Sequence, residues 1–199
     1  MKVALISANT STSPHPVYPL GLDHVAAAIA DRREVVIVDL AASGQGALEQ
    51  IARASPDVVG ISIRNIDNSD IAENESFIGP LKSLVKSIRA ITAAPLVLGG
   101  AGFTIFPAEL MEALDADFGI IGEGERLAGL LDAIERNQDP RGLAGVIVRG
   151  GPPVWPGTWE RPFSRIFPSE DGRAAFYLGR GGILNFQTKR GCPFNSVYC

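Results

Sequence analysis

Five short runs of mainly aliphatic residues, each continuous rather than alternating with polar positions, constrain the fold of this chain more than any other feature. They lie at residues 3–7, 34–39, 57–63, 95–99 and 118–121. A strand with one face in water alternates, whereas a strand covered by helices on both faces is apolar throughout. Helical segments at 20–30, 46–54, 77–91, 107–114 and 125–136 separate the runs. In the third of these, Phe77, Leu81, Leu84, Val85, Ile88 and Ile91 recur at three- and four-residue steps, which predicts one buried face. The order βαβαβαβαβα predicts a doubly wound α/β domain: a parallel sheet of about five strands, helices on both faces, right-handed crossovers. A short run at 145–148 is expected to extend the edge.

Of the 199 residues, 46% are apolar, enough to bury a sizeable core. The net charge of −4 carries no long run of either sign, so no nucleic-acid footprint is indicated. The opening Met1-Lys2-Val3-Ala4-Leu5-Ile6-Ser7 is too short an apolar run for a signal peptide. Residues 90–108 are uncharged, but Pro95, Gly99, Gly100, Gly102 and Pro107 interrupt them too often for a membrane-spanning helix. A cytoplasmic protein without a membrane partner is expected.

Texture divides the chain into residues 1–149, the α/β domain, and 150–180, where Pro152, Pro153, Pro156, Pro162 and Pro168 interleave with Trp155, Trp159, Phe163 and Phe167. That composition predicts an extended interdomain strap rather than a helix or central strand. Residues 181–199 then read as the truncated start of a second domain, with 183–188 as its first strand. They close on Cys192-Pro193-Phe194-Asn195-Ser196-Val197-Tyr198-Cys199. Two unrelated buried thiols are one reading of this ending. A disulfide is less favoured, because nothing else suggests export.

Ligands of doubly wound sheets bind beyond the carboxyl ends of the strands, near the point where strand order reverses. Four of those ends are small, polar or glycine-rich here: residues 7–21, 62–68, 99–104 and 122–125. Such ends let a bulky ligand approach the backbone and offer amides at helix N-termini. The candidate binding residues are Tyr18, Pro19, Leu20, Gly21, Ser62, Arg64, Asn65, Gly99, Gly100, Gly102, Gly122, Glu123 and Gly124.

Taken in order, Pro19-Leu20-Gly21-Leu22, Pro56-Asp57-Val58-Val59-Gly60-Ile61-Ser62, Leu98-Gly99-Gly100 and Gly122-Glu123-Gly124-Glu125 resemble the cobalamin-binding domain that precedes the catalytic domain of cobalamin-dependent radical S-adenosylmethionine (SAM) enzymes. The ending from Cys192 resembles the Cys-x3-Cys-x2-Cys signature of the same enzymes, with Ser196 at the middle position. The resemblance implies that Ser62 sits near the benzimidazole tail of the cofactor and that Gly99 and Gly100 give the tail room. It also implies that residues 18–21 face the corrin ring and that residues 122–124 meet the nucleotide end. In the intact enzyme it implies a [4Fe–4S] cluster, held here by Cys192 and Cys199, that cleaves SAM to a deoxyadenosyl radical, with cobalamin commonly supplying a methyl group to an unactivated carbon. A serine hydroxyl is a poor, hard iron ligand, so Ser196 predicts little or no stable cluster. This chain alone is expected to show no turnover, its partners being the corrinoid and the remainder of the radical SAM domain in cis.

Family members that ligate cobalt from the protein carry Asp-x-His-x-x-Gly after the first strand, and neither His15 nor His24 fits that spacing. His24 is expected on the surface or a helix face. Two other α/β readings stay open. A dinucleotide-binding domain would need Gly-x-Gly-x-x-Gly after the first strand, and none is present. A phosphoacceptor receiver, which would not be an enzyme part, needs an Asp at the end of the third strand, where Ser62 stands.

Overall fold

The computed structural model describes residues 1–13, 15–68, 75–159, 164, 165, 172–183, 185 and 187. Their six strands are β1 Lys2–Ser7, β2 Glu34–Asp39, β3 Val58–Ser62, β4 Leu96–Gly99, β5 Phe118–Ile120 and β6 Val146–Val148, in one sheet ordered β2-β1-β3-β4-β5-β6. The first five run parallel. The edge strand β6 pairs antiparallel with β5, Phe118 opposite Val148. The helices are α1 Leu20–Ile29, α2 Leu40–Ser43, α3 Ala47–Ala54, α4 Ile78–Ile91, α5 Ala101–Ile105, α6 Pro107–Ala113, α7 Leu127–Glu135 and α8 Arg173–Leu178.

Two hydrophobic layers explain why the strands read as continuous. Leu5, Val97 and Ile120 point to one side, where they meet Leu22, Ala26 and Ile29 of α1 and Leu127, Leu130 and Leu131 at α7. Ile6, Ile61 and Leu98 point to the other, against Ile51 of α3, Leu81, Val85 and Ile88 of α4, and Leu110 of α6. Neighbouring residues of one strand thus feed opposite cores, and polar side chains are confined to the strand ends. Of the stripe predicted on α4, Leu81, Val85 and Ile88 are buried, whereas Ile91, in the last turn, is 41% exposed.

Every predicted strand and helix of the domain is present, within two residues at each end. Three helices were not anticipated. The four residues of α2 are too few to show a period, and what starts that helix is the Asp39 carboxylate accepting from the Ala41 amide at 3.1 Å. The glycine-rich run after β4, expected as a loop, continues as α5 once Gly100 has turned the chain at φ 101°. The third, α8, lies inside the strap where only extended chain was expected. It forms because Arg173 and Tyr177, one turn apart, are both buried against the domain.

The stretch 151–159 does run without helix or strand. It is tied to the sheet edge by the Gly145 amide donating to the Val154 carbonyl at 2.8 Å and the Val154 amide to the Val146 carbonyl at 3.2 Å. Of the predicted strand 183–188, Ile183, Asn185 and Gln187 are in no strand, and the rest, with Cys192, Ser196 and Cys199, lies outside the described residues. Among the described residues no helix is long and apolar enough to cross a membrane.

Candidate cofactor crevice at the carboxyl edge of the sheet

The chain leaves β1 towards β2 on one side and enters β3 on the other, so the strand order reverses between β1 and β3. There the register sets Asp39, Ser7, Ser62 and Gly99 side by side across the carboxyl ends of four strands. On the α1 and α7 side, a cavity of about 860 Å³ opens between sheet and helices. Leu5, Gly60 and Val97 form its floor, in one cross-strand row. Leu20, Gly21, His24 and Val25 of α1 form one wall, and Ser62, Gly99 and Gly100 line the strand ends. Gly122, Glu123 and Gly124 complete the side beyond β5. Eight of the thirteen residues expected at the site, Leu20, Gly21, Ser62, Gly99, Gly100, Gly122, Glu123 and Gly124, are therefore brought together around one space that the protein's own side chains leave open.

The glycines here differ in what requires them. At Gly100 a Cβ would lie 2.5 Å from the Ile63 carbonyl oxygen, and φ is positive, so the fold itself demands glycine. At Gly21 a Cβ would meet nothing within 4 Å, and at Gly99 only ordinary contacts at 3.8 Å to Ile120. Protein packing does not explain those two. The Ser62 hydroxyl has no hydrogen-bond partner among the described residues, which leaves it available to a ligand.

Thr104 ties two lining loops together: its hydroxyl donates to the Gly100 carbonyl at 3.1 Å and accepts from the Gly122 amide at 3.1 Å. Sequence reasoning passed over Thr104 and also Gly60, whose lack of a side chain deepens the floor.

The other five expected residues lie elsewhere. Arg64 and Asn65 are exposed and line a second cavity of about 650 Å³, together with Asn9 to Ser13 of the β1–α1 loop. Gly102 is buried, its amide donating to the Ile63 carbonyl at 3.0 Å, where a Cβ would come within 2.9 Å of the Arg64 carbonyl oxygen. Pro19 precedes α1 without lining the cavity. Tyr18 is 2% exposed and turned into the protein, where its hydroxyl donates to Asp23 at 3.1 Å and its ring meets Tyr177 edge-on at 5.2 Å.

That buried cluster is the largest feature sequence reading missed. Asp23 is fully buried and receives Arg165 Nε at 3.0 Å and Arg173 Nη1 at 3.4 Å. Tyr177 donates to Asp39 at 2.7 Å. Burial pushes the phenols of Tyr18 and Tyr177 well above their ordinary range, and it raises the Asp39 carboxyl against the opposing pull of the Tyr177 hydroxyl. His24, expected on the surface or a helix face, sits on α1 but points inward: it is 5% exposed, borders the cavity, and places Nδ1 2.6 Å from the Ser164 carbonyl oxygen. No lone sequence signal distinguishes a buried histidine on a helix from an exposed one.

Residues 6–131 match the family of the B12 binding domain. The chain belongs to that family. The B12-binding domain is similar to the tryptophan 2-C-methyltransferase of Streptomyces laurentii, 32% identical in an alignment 158 residues long that covers 75% of this chain and 26% of the relative. Among solved structures it resembles the radical SAM methyltransferase TsrM from Kitasatospora setae, determined with tryptophan substrate and a SAM analogue, at TM-score 0.71 and 32% identity over 77% of this chain and 30% of that one. The cobalamin-dependent SAM radical enzyme OxsB shares the fold at TM-score 0.60 and 16% identity, covering 79% of this chain and 22% of that one. The chain thus spans about a quarter to a third of the length of these relatives.

The B12-binding domain carries a crevice that suits its cofactor: a long open floor, glycines at the strand ends and one available hydroxyl. The receiver alternative fails on the same geometry. Asp57 precedes β3 at the amino edge of the sheet and accepts the Lys2 amide at 2.6 Å, far from where a phosphoacceptor would stand.

Proposed function

We propose that this domain holds cobalamin for a radical SAM enzyme that transfers a methyl group to a carbon atom. The observation that carries the proposal is the open crevice beside Ser62, Gly99 and Gly100. Leu5, Gly60 and Val97 would give the nucleotide tail its floor, and the Ser62 hydroxyl would be its polar anchor. Gly99 and Gly100 would let it pass, Gly122 to Gly124 would meet the nucleotide end, and Leu20 and Gly21 would support the corrin from the head of α1. Arg64 and Asn65, beyond the β3 end, would serve the corrin periphery, with Gly102 contributing through the close backbone packing beneath them. When bound, cobalamin supplies a cobalt centre that takes up and passes on a methyl group. The chain's own share is to bind, orient and exclude water, and the apolar floor suits that work.

In the same proposal residues 150–180 connect to a radical SAM domain in cis that residues 181–199 begin, where Cys192 and Cys199 supply thiolates to a cluster. Ser196 weakens that cluster. The similarity to proteins named for tryptophan makes an aromatic amino acid the first methyl acceptor to test. A cytoplasmic setting, with neither nucleic acid nor membrane as partner, goes with this reading.

Titration of the purified chain with hydroxocobalamin under absorbance detection is the test. A saturable change in the corrin bands is expected, and Ser62→Phe abolishes it. An unaltered spectrum at saturating cobalamin would refute the proposal.

A further inference from the structure

Among the described residues, every one lining the crevice lies at or before Leu127, except Asn185 and Gln187. Both fall well outside the part of the chain that matches the family, residues 6–131. Two amide-bearing residues just past the strap therefore complete a wall that the described residues of the domain leave open.

What holds Asn185 there is an ion pair. Arg165 donates through Nε to Asp23 at 3.0 Å and through Nη1 to the Asn185 carbonyl at 3.0 Å. One planar guanidinium thus joins a buried carboxylate on α1 to the backbone of a cavity-lining residue, a two-directional contact that arginine's fixed fork provides and lysine cannot. The Asp23 side chain is fully buried and that of Arg165 9% exposed. Asp23 tolerates this burial because guanidiniums arrive from 142 and 150 residues further along the chain. The next residue on α1, His24, meets the Ser164 carbonyl and borders the crevice itself. The start of α1 is therefore both a wall of the cofactor site and the anchor of the strap.

We infer that Asn185 and Gln187 are cofactor-facing residues, positioned by the Asp23–Arg165 pair, so that anchoring of the strap governs how long cobalamin stays bound. The inference rests on the cobalamin reading above. Carboxamides are suited to the polar groups of the cofactor, its amides and its nucleotide phosphate, while the floor takes the apolar base. Asp23 and Arg165 act as positioning residues: they fix the chain at Asn185 and do not themselves line the crevice.

The test uses the full chain loaded with hydroxocobalamin, followed by stopped-flow displacement with excess apo-binding protein. Asn185→Ala combined with Gln187→Ala is expected to raise the dissociation rate roughly tenfold, the loss of one or two hydrogen bonds, with the association rate little changed. Arg165→Met should match that double variant, and the triple variant should be no worse than either, because both changes remove the same contact. Arg165→Lys, which keeps the charge but loses the fork, should fall between. Hydrogen exchange of amides 172–183 in the apo protein should accelerate in Arg165→Met whether or not ligand binds. Melting curves verify that each variant folds, and if Arg165→Met does not, the Asn185/Gln187 double variant still decides. Dissociation from the folded double variant at the parent rate overturns the inference. Failure of the parent protein to bind cobalamin overturns the underlying reading as well, and the two failures are distinct.

Discussion

Gly99→Val separates ligand binding from folding at a single position. A Cβ at residue 99 would rest 3.8 Å from Ile120, ordinary van der Waals distance, and φ there is not in the left-handed region. Glycine within a strand costs about 0.5–1 kcal/mol relative to alanine, and β-branched residues favour the pleated conformation. The variant should therefore be as stable as the parent or better, with a midpoint no lower and up to about 4 °C higher. Its two added methyl groups stand at the edge of the crevice that Gly99 lines. Forcing extra methyl groups into a filled site costs about 1–3 kcal/mol, so cobalamin affinity should fall by roughly 5- to 150-fold. Its neighbour provides the contrast. Gly100→Ala, with φ 101° and a Cβ 2.5 Å from a carbonyl oxygen, should lose stability outright. The assay pairs thermal melts with cobalamin titration. A Gly99→Val protein that melts like the parent and binds cobalamin with parent affinity would refute the assignment of this crevice.

Three further outcomes follow from the packing and charge described above. Gly119→Ala should destabilise by about 1–3 kcal/mol in urea unfolding, since its Cβ would fall 2.2 Å from Phe103 Cζ in a fully buried setting; an unchanged midpoint would mean that this core is looser than its geometry. Tyr177→Phe removes the donor to the buried Asp39 carboxylate and should cost about 1–3 kcal/mol at neutral pH. Burial already holds the Asp39 carboxyl above its ordinary range, so the variant's deficit should shrink as acid protonates that group, and a deficit independent of pH between 7 and 4 would contradict this. Asp132 lies on the opposite side of the balance: hydrogen bonds from Arg33, then Arg32, hold its carboxyl below the ordinary range. Its contribution is complete above the unfolded value of about 4 and is lost as pH falls through the folded one, so Asp132→Asn should flatten the acid limb of a stability profile below about pH 4.

The α/β domain was legible in the sequence because its signals are local. Continuous apolar runs report burial on both faces, three- and four-residue spacing reports α4, and small residues at strand ends mark the edge where a ligand enters. Ser62, Gly99, Gly100 and Gly122 to Gly124 stand at or just past those ends along the chain, so a parallel sheet brings them to one edge, whereas Leu20 and Gly21 are placed by the packing of α1. The antiparallel turn of β6, the helix α8 and the buried cluster of Tyr18, Asp23, Asp39, Arg165, Arg173 and Tyr177 were decided only by tertiary structure. Asp23 with Arg165 and Arg173, and Asp39 with Tyr177, pair residues more than a hundred apart, and no period or spacing encodes a polar pair across that distance. The same holds for His24: its place on a helix is written in the sequence, but whether that face meets water or a strap depends on what the rest of the chain lays over it.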